Sequence, residues 1–173
     1  MNRRIVCLGT ISGVLGIGAC LAFCGGAPAN AQTQTAERPL LLHLLTDANS
    51  NDANACVAFN LAWVVIEQGH PVEMLFDGWA SYNIKTGDFW AKYRVPEHFR
   101  KLVSKTVGHD VEWGGGTYVD LLKYLHGKGL VVAANKTFLA LSGDDKKLPS
   151  FVEQWTLAEM VTHLRGSSGY ASY

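Results

Sequence analysis

Disulfides are the first thing this sequence lacks. Three of its four cysteines, Cys7, Cys20 and Cys24, fall within the first 24 residues, and Cys56 stands alone in the rest. Once the start of the chain is removed, no intrachain bridge can form. A lone thiol is then buried and inert, reactive, or paired with another chain. Charge is scarce too, at 17% Asp, Glu, Lys and Arg with a net of zero. No basic run or stripe interrupts that balance, which argues against nucleic acid or an anionic membrane surface as a partner. The six histidines, His43, His70, His98, His109, His126 and His163, show no i, i+4 or His-x-His pair, so no local metal motif is present. There is no Gly-x-Ser-x-Gly, no phosphate loop and no dinucleotide fingerprint. Gly114–Gly116 precedes a helix, but no strand leads into it and no Lys-Ser/Thr follows. Nothing points to a cofactor, and no internal repeat or low-complexity tract is found.

What is present begins with an export signal. Arg3 and Arg4 precede an apolar, glycine-rich stretch from Ile5 to Phe23, and Ala29-Asn30-Ala31 has the small-x-small pattern that signal peptidases cut. Residues 1–31 are expected to leave, with cleavage before Gln32, and the product to be periplasmic or secreted. An uncleaved anchor is the alternative, weakened by Gly9, Gly13, Gly16 and Gly18. A lipid anchor at Cys20 is another, opposed by the apolar run continuing through Leu21-Ala22-Phe23. The remaining 142 residues suit one domain with a single core. Without Arg3 and Arg4, acidic residues lead basic ones by two.

Residues 32–38 read as a flexible leader, and 39–173 as an α/β domain with an insert at about 80–116. Pro39–Thr46 is a continuous apolar run with one histidine, the first strand. Asn51 or Asp52 caps a helix over Ala53–Gln68, ended by Gly69. Its small-residue stripe, Ala55, Ala58, Ala62 and Val65, is expected to face the sheet, widened by Val57, Leu61 and Val64. Cys56, Phe59, Asn60 and Trp63 would lie on the flank. Val72–Phe76 is the next strand, completing a βαβ unit. The insert holds a short helix at Pro96–Lys105, and its length suits a cover over a site or an oligomer contact. Thr117 caps a helix over Tyr118–His126, with Leu121, Leu122 and Leu125 inward. Leu130–Ala134 is apolar on both faces, as in the middle of a parallel sheet. It stops at Asn135-Lys136 and turns into one or two helical turns. Asp144–Lys147 is a solvated loop, Phe151–Trp155 a short strand, Leu157–Leu164 a helix capped by Thr156, and Gly169–Tyr173 an edge strand.

This order of landmarks resembles the DsrE/DsrF-like family of sulfur-relay proteins. The opening strand PLLLHLLTD matches, as does the small-residue helix ending Glu67-Gln68-Gly69-His70. VEMLFDGW follows, then a helix running into Leu125-x-x-Lys128-Gly129-Leu130-Val131-Val132. A leucine-rich piece with Ser142-Gly143 and the tail FVEQWTLAEMVTHLRGSSGY complete it. The resemblance spans nearly the whole chain after residue 31. It implies a doubly wound three-layer α/β fold with a largely parallel sheet of five to six strands, and a homo-oligomer, often a trimer or hexamer. In sulfur-transferring members a persulfide-carrying cysteine follows the fourth strand. That place falls at Ala134-Asn135-Lys136, and no cysteine is there. An amide or ammonium cannot hold a sulfane sulfur.

Candidate ligand-binding residues are therefore Asn135, Lys136, Asp77 and Trp79, placed where strand ends open a crevice. Asn135 and Lys136 can hold a small sulfur species, an anion or a polar group; equally, they are ordinary turn formers. Asp77 and Trp79 offer a carboxylate and an aromatic wall, or a turn aspartate and a packing tryptophan. Cys56 is the one catalytic candidate. A helix's first turns can lower a thiol pKa, while a small buried hydrophobe beside Phe59 is the plainer account. The expected function is a non-catalytic ligand-binding or assembly module linked to sulfur metabolism, with a sulfur carrier or redox protein using Cys56 as the alternative.

Overall fold

A computed structural model describes residues 37–85, 87–143 and 147–173. The signal peptide at 1–31 and all but the last two residues of the leader lie outside them, as do three of the four residues of the Asp144–Lys147 loop. No helix among the described residues is long and apolar enough to cross a membrane.

Five strands form one sheet: β1 (Leu40–Leu44), β2 (Val72–Phe76), β3 (Val131–Asn135), β4 (Glu153–Trp155) and β5 (Gly169–Ser172). Their spatial order is β4-β3-β2-β1-β5, and every neighbouring pair is parallel. The apolar run expected to be central is indeed interior, between β2 and β4. It is the third strand of the chain, not the fourth that the resemblance implied. β5 is the edge strand that Gly169–Tyr173 promised, and it pairs with β1 from Leu40↔Gly169 to His43↔Ser172.

The first face carries most of the core. Helix α1 (Asp52–Glu67) starts at Asn51, whose side chain accepts from Ala53 N at 3.2 Å. Its buried residues are Ala55, Ala58, Phe59, Ala62, Trp63 and Ile66. Ala55, Ala58 and Ala62 of the expected stripe are buried, the expected flank residues Phe59 and Trp63 are buried with them, and Val57, expected to widen the face, points to solvent. Each large ring contributes about 1.5–3 kcal/mol when buried, so the apolar face broadens to take in Phe59 and Trp63 beside the alanines. Phe59 packs edge-on against Phe76 and Tyr118 and at a tilt against Trp90, contacts that hold it in the core.

The insert is more ordered than its sequence suggests. It holds two one-turn helices, α2 (Ala80–Asn83) and α3 (Phe89–Lys92), then α4 (Glu97–Val107). Trp90 and Val103 anchor it in the core. Helix α5 (Tyr118–Gly127) begins with a reciprocal cap, in which Thr117 Oγ1 accepts from Asp120 N and the Asp120 carboxylate accepts from Thr117 N at 2.7 Å. Leu121, Leu122 and Leu125 face inward. Helix α6 (Lys136–Ser142) follows β3 directly, and its Leu139 joins the same core.

The second face has thin cover. Leu41, Leu75, Ala133 and Trp155 lie on it, and among the described residues α7 (Leu157–Gly166) is the helix that packs there, through Met160. Thr156 and Glu159 cap α7 in the same reciprocal way as α5. No residue of α7 is buried. The helix is pinned by His163, which lies 2.9 Å from the buried Glu73 carboxylate and stacks on Trp155 at 3.7 Å and 11°. A buried carboxylate needs such a partner.

Candidate functional site

Near the carboxyl ends of β1, β2 and β3, one side chain from each strand region joins a continuous hydrogen-bonded row, which Tyr170 of β5 extends. Tyr170 Oη lies 2.9 Å from His43 Nδ1, and His43 Nε2 lies 2.9 Å from Asp77 Oδ2. Asn135 Nδ2 donates to Asp77 Oδ1 at 2.6 Å, and Gly78 N donates to the same oxygen. Asn135 Oδ1 accepts from Phe138 N, capping α6. The hydrogen bond from His43 does most to hold the Asp77 carboxyl below its ordinary value; burial pushes the other way, and the Asn135 and Gly78 donors add to the lowering. Asp77 is therefore ionised at neutral pH and accepts every bond it makes.

The strand-end placement expected for Asp77 and Asn135 brings them into contact. Trp79 is nearby and 64% exposed, packed on Tyr82 and on Phe138, whose amide Asn135 caps. Lys136 is exposed, and its charge acts on Glu159 at the start of α7. Both functional groups of the Asn135 amide are engaged within the protein. His43 and Tyr170 are the members that sequence reasoning missed. His43 lies inside the first apolar run, and Tyr170 in the edge strand. The available signal is a histidine in the penultimate position of a strand otherwise made of leucines.

Cys56 lies apart from this row, on the first face. Its Sγ is 3.4 Å from Tyr118 Oη. It lines a cavity of about 250 Å³ with Asp52, Tyr93, His98 and Tyr118 among its walls. Burial pushes the thiol pKa up and the Asp52 charge adds to that, while the Tyr118 hydrogen bond pulls it down by less. The helix-start advantage expected for this thiol is thus outweighed by desolvation and a neighbouring carboxylate. Tyr118 in turn is held far above the ordinary phenol range, chiefly by burial. His109 reaches the neighbourhood of Glu67, at 3.7 Å. Among the described residues, no group of three or more His, Cys, Asp or Glu side chains is arranged to hold a metal ion.

The fold defines a three-layer α/β protein with an all-parallel sheet, of the DsrE-like type. Among solved structures the chain is similar to the ychN protein from E. coli, a protein of DsrE/DsrF-like fold. The match has a TM-score of 0.56 at 14% identity and covers 79% of this chain and 99% of that one. No family model matches the sequence, and no curated protein matches it.

Proposed function

We propose that this chain is an exported, non-catalytic binding or assembly module of the DsrE-like type, linked to sulfur metabolism. The observation that carries the reading is Asn135. By the resemblance it falls where relay members carry a cysteine, although its strand is the third and not the fourth, and its amide is engaged by Asp77 on one side and by the start of α6 on the other. The one thiol of the exported chain, Cys56, sits on the opposite face with its thiolate disfavoured. The exposed Trp79 beside this row, and the exposed Leu141 of α6, are apolar surface that association of the chain into a trimer or hexamer would cover. The strand-end row and Trp79 then frame the place for a small sulfur species. Removal of residues 1–31 puts the protein in the periplasm or outside the cell.

Native mass spectrometry and sedimentation velocity of the exported protein, with and without sulfide, thiosulfate and polysulfide, test this. The expected result is an oligomer that retains a sulfur species non-covalently. A monomer that retains none overturns it. The second reading, a sulfur carrier using Cys56, is favoured by the cavity beside that thiol. It predicts added sulfur on Cys56 after polysulfide treatment, lost in Cys56→Ser.

A further inference from the structure

The long insert between β2 and β3 takes no part in the strand-end row, yet it builds most of a cavity. Helices that carry the chain back between parallel strands begin where the strands end, so α1 and α5 both start at the carboxyl rim of the sheet. Ligands of open α/β sheets sit outside that rim. The insert closes over the two helix starts and leaves a cavity of about 250 Å³ there.

The backbone fixes the frame of this cavity. Val95 N donates to Gly116 O at 2.9 Å and Tyr118 N to Tyr93 O at 3.1 Å, which ties the segment after α3 to the start of α5. Asp88 caps α3 by accepting from Phe89 N at 2.8 Å. The wall is a run of rings in contact. Tyr93 stacks on Phe89 at 4.2 Å, Phe89 meets Trp90 edge-on at 4.6 Å, and Trp90 meets Tyr118 edge-on at 4.8 Å. Phe99 of α4 adds to it.

Two opposite charges line the same cavity, Asp52 from the first turn of α1 and Arg94 from the insert. Both are exposed, and neither side chain forms a hydrogen bond or an ion pair with another described residue. They therefore do not neutralise each other. The Asp52 charge acts on Cys56 and Tyr118 and the Arg94 charge on Asp120, so the two fields fall on different groups. Cys56 and Tyr118 engage one another at 3.4 Å. A simple anion entering this cavity would meet Asp52, and a simple cation would meet Arg94. A molecule carrying both charges satisfies both residues, and its apolar part has the rings to lie against.

We propose that this cavity binds a small zwitterion, with its ammonium at Asp52, its carboxylate at Arg94 and a compact apolar body against the rings. An α-amino acid with an aliphatic side chain is the simplest case. The volume lies just under the usual range for small-molecule sites, which suits a body of that size. The site uses neither the strand-end row nor the chemistry of the thiol, so it stands or falls apart from the sulfur reading.

Four probes separate the contacts. Leucine has all three parts, 4-methylpentanoate lacks the ammonium, 3-methylbutylamine lacks the carboxylate, and glycine keeps both charges but lacks the body. Calorimetry on the exported protein measures each affinity, and the indole N–H resonance of Trp90 reports whether the cavity is where they bind. Leucine is expected to shift that resonance and to bind about tenfold or more tighter than either truncated probe, as a hydrogen bond to a charged group allows. It should exceed glycine by about tenfold as well, as burial of one aliphatic side chain allows. Asp52→Asn should bring leucine down to the level of 4-methylpentanoate, and Arg94→Gln down to that of 3-methylbutylamine. Both substitutions are on the surface, so the fold is kept. The proposal is overturned if leucine leaves Trp90 unmoved, if a truncated probe or glycine binds as tightly as leucine, or if either variant keeps leucine's advantage.

Discussion

Asn135 and Asp77, 58 positions apart, share a 2.6 Å hydrogen bond that joins the end of β3 to the residue just past β2, and Asn135 is only 7% exposed. The same amide caps α6 with its oxygen. One side chain thus fixes the course of the backbone as it leaves the third strand and orients the carboxylate that His43 faces. It acts as a brace between the ends of two neighbouring strands.

Asn135→Ala removes the cap and a buried donor together. The expected loss is about 1–3 kcal/mol, seen as a lower urea midpoint at an unchanged slope. Asn135→Asp keeps the cap but sets two carboxylates against each other. Its deficit should be largest at neutral pH and shrink as acid protonates one of the pair, whereas the alanine variant shows no such recovery.

Acid should expose the row through Asp77. Its folded-state pKa is depressed below the ordinary 3.8, so the stability it contributes is full above that value and is lost as pH falls through the depressed one. Glu67 behaves with the same sign; burial pushes its carboxyl up, and the Lys128, Tyr124 and Trp63 donors more than reverse this. Replacing His43 with Leu removes the largest cause of the Asp77 shift. A carboxyl NMR titration should then place Asp77 higher, and an unchanged titration would refute the assignment.

Cys56 should alkylate more slowly than a free thiol at mildly alkaline pH. Asp52→Asn removes a raising charge and should accelerate the reaction. Tyr118→Phe removes the hydrogen bond that favours the thiolate and should slow it further. Rates of iodoacetamide labelling in the two variants must move in opposite directions.

Glu67 has a nearly buried side chain, 6% exposed, that accepts from Lys128 at 2.6 Å, Tyr124 at 3.1 Å and Trp63 at 3.3 Å. It ties the end of α1 to the end of α5. Glu67→Leu strands three donors and should cost about 2–4 kcal/mol in chemical denaturation. Lys128→Met should cost less, because the other two donors remain.

Gly116 sits against the start of α5. A Cβ there would lie 2.5 Å from Asp120 Oδ2, the oxygen that accepts from Thr117. Gly116→Ala should break the reciprocal cap, with a loss of about 1 kcal/mol or more in thermal unfolding. Gly114→Ala meets nothing within 4 Å and should be neutral.

Local signals carried much of the architecture. Leu130–Ala134 could be recognised as an interior strand because it is apolar on both faces, and Thr117 and Thr156 as caps because an acidic residue stands three positions on. The alanine stripe of α1 was legible from its spacing, but the full width of the buried face was not. Burial of Phe59 beside the stripe depends on Phe76, Trp90 and Tyr118, distant residues that meet it only in the folded chain. Half of the strand-end site was visible for the same reason that its strands were: Asp77 and Asn135 each end an apolar run. Their partner His43 lay inside a run, and its link to Tyr170 spans 127 positions. No spacing rule joins two residues whose strands become neighbours only because the last connection crosses back over the sheet.

That return has one more effect. β5 is a short strand, and it alone shields the outer side of β1, aided by Arg38 donating to the Arg165 and Gly166 carbonyls and by the Tyr173 carbonyl receiving Leu45 N at 2.8 Å. Clipping the chain after Gly166 would strip this guard and turn a leucine-rich inner strand into a bare hydrogen-bonding margin, ready to zip onto the same margin of another molecule. Residues 167–173 therefore keep β1 from pairing with another molecule, and a cut after Gly166 would remove that guard.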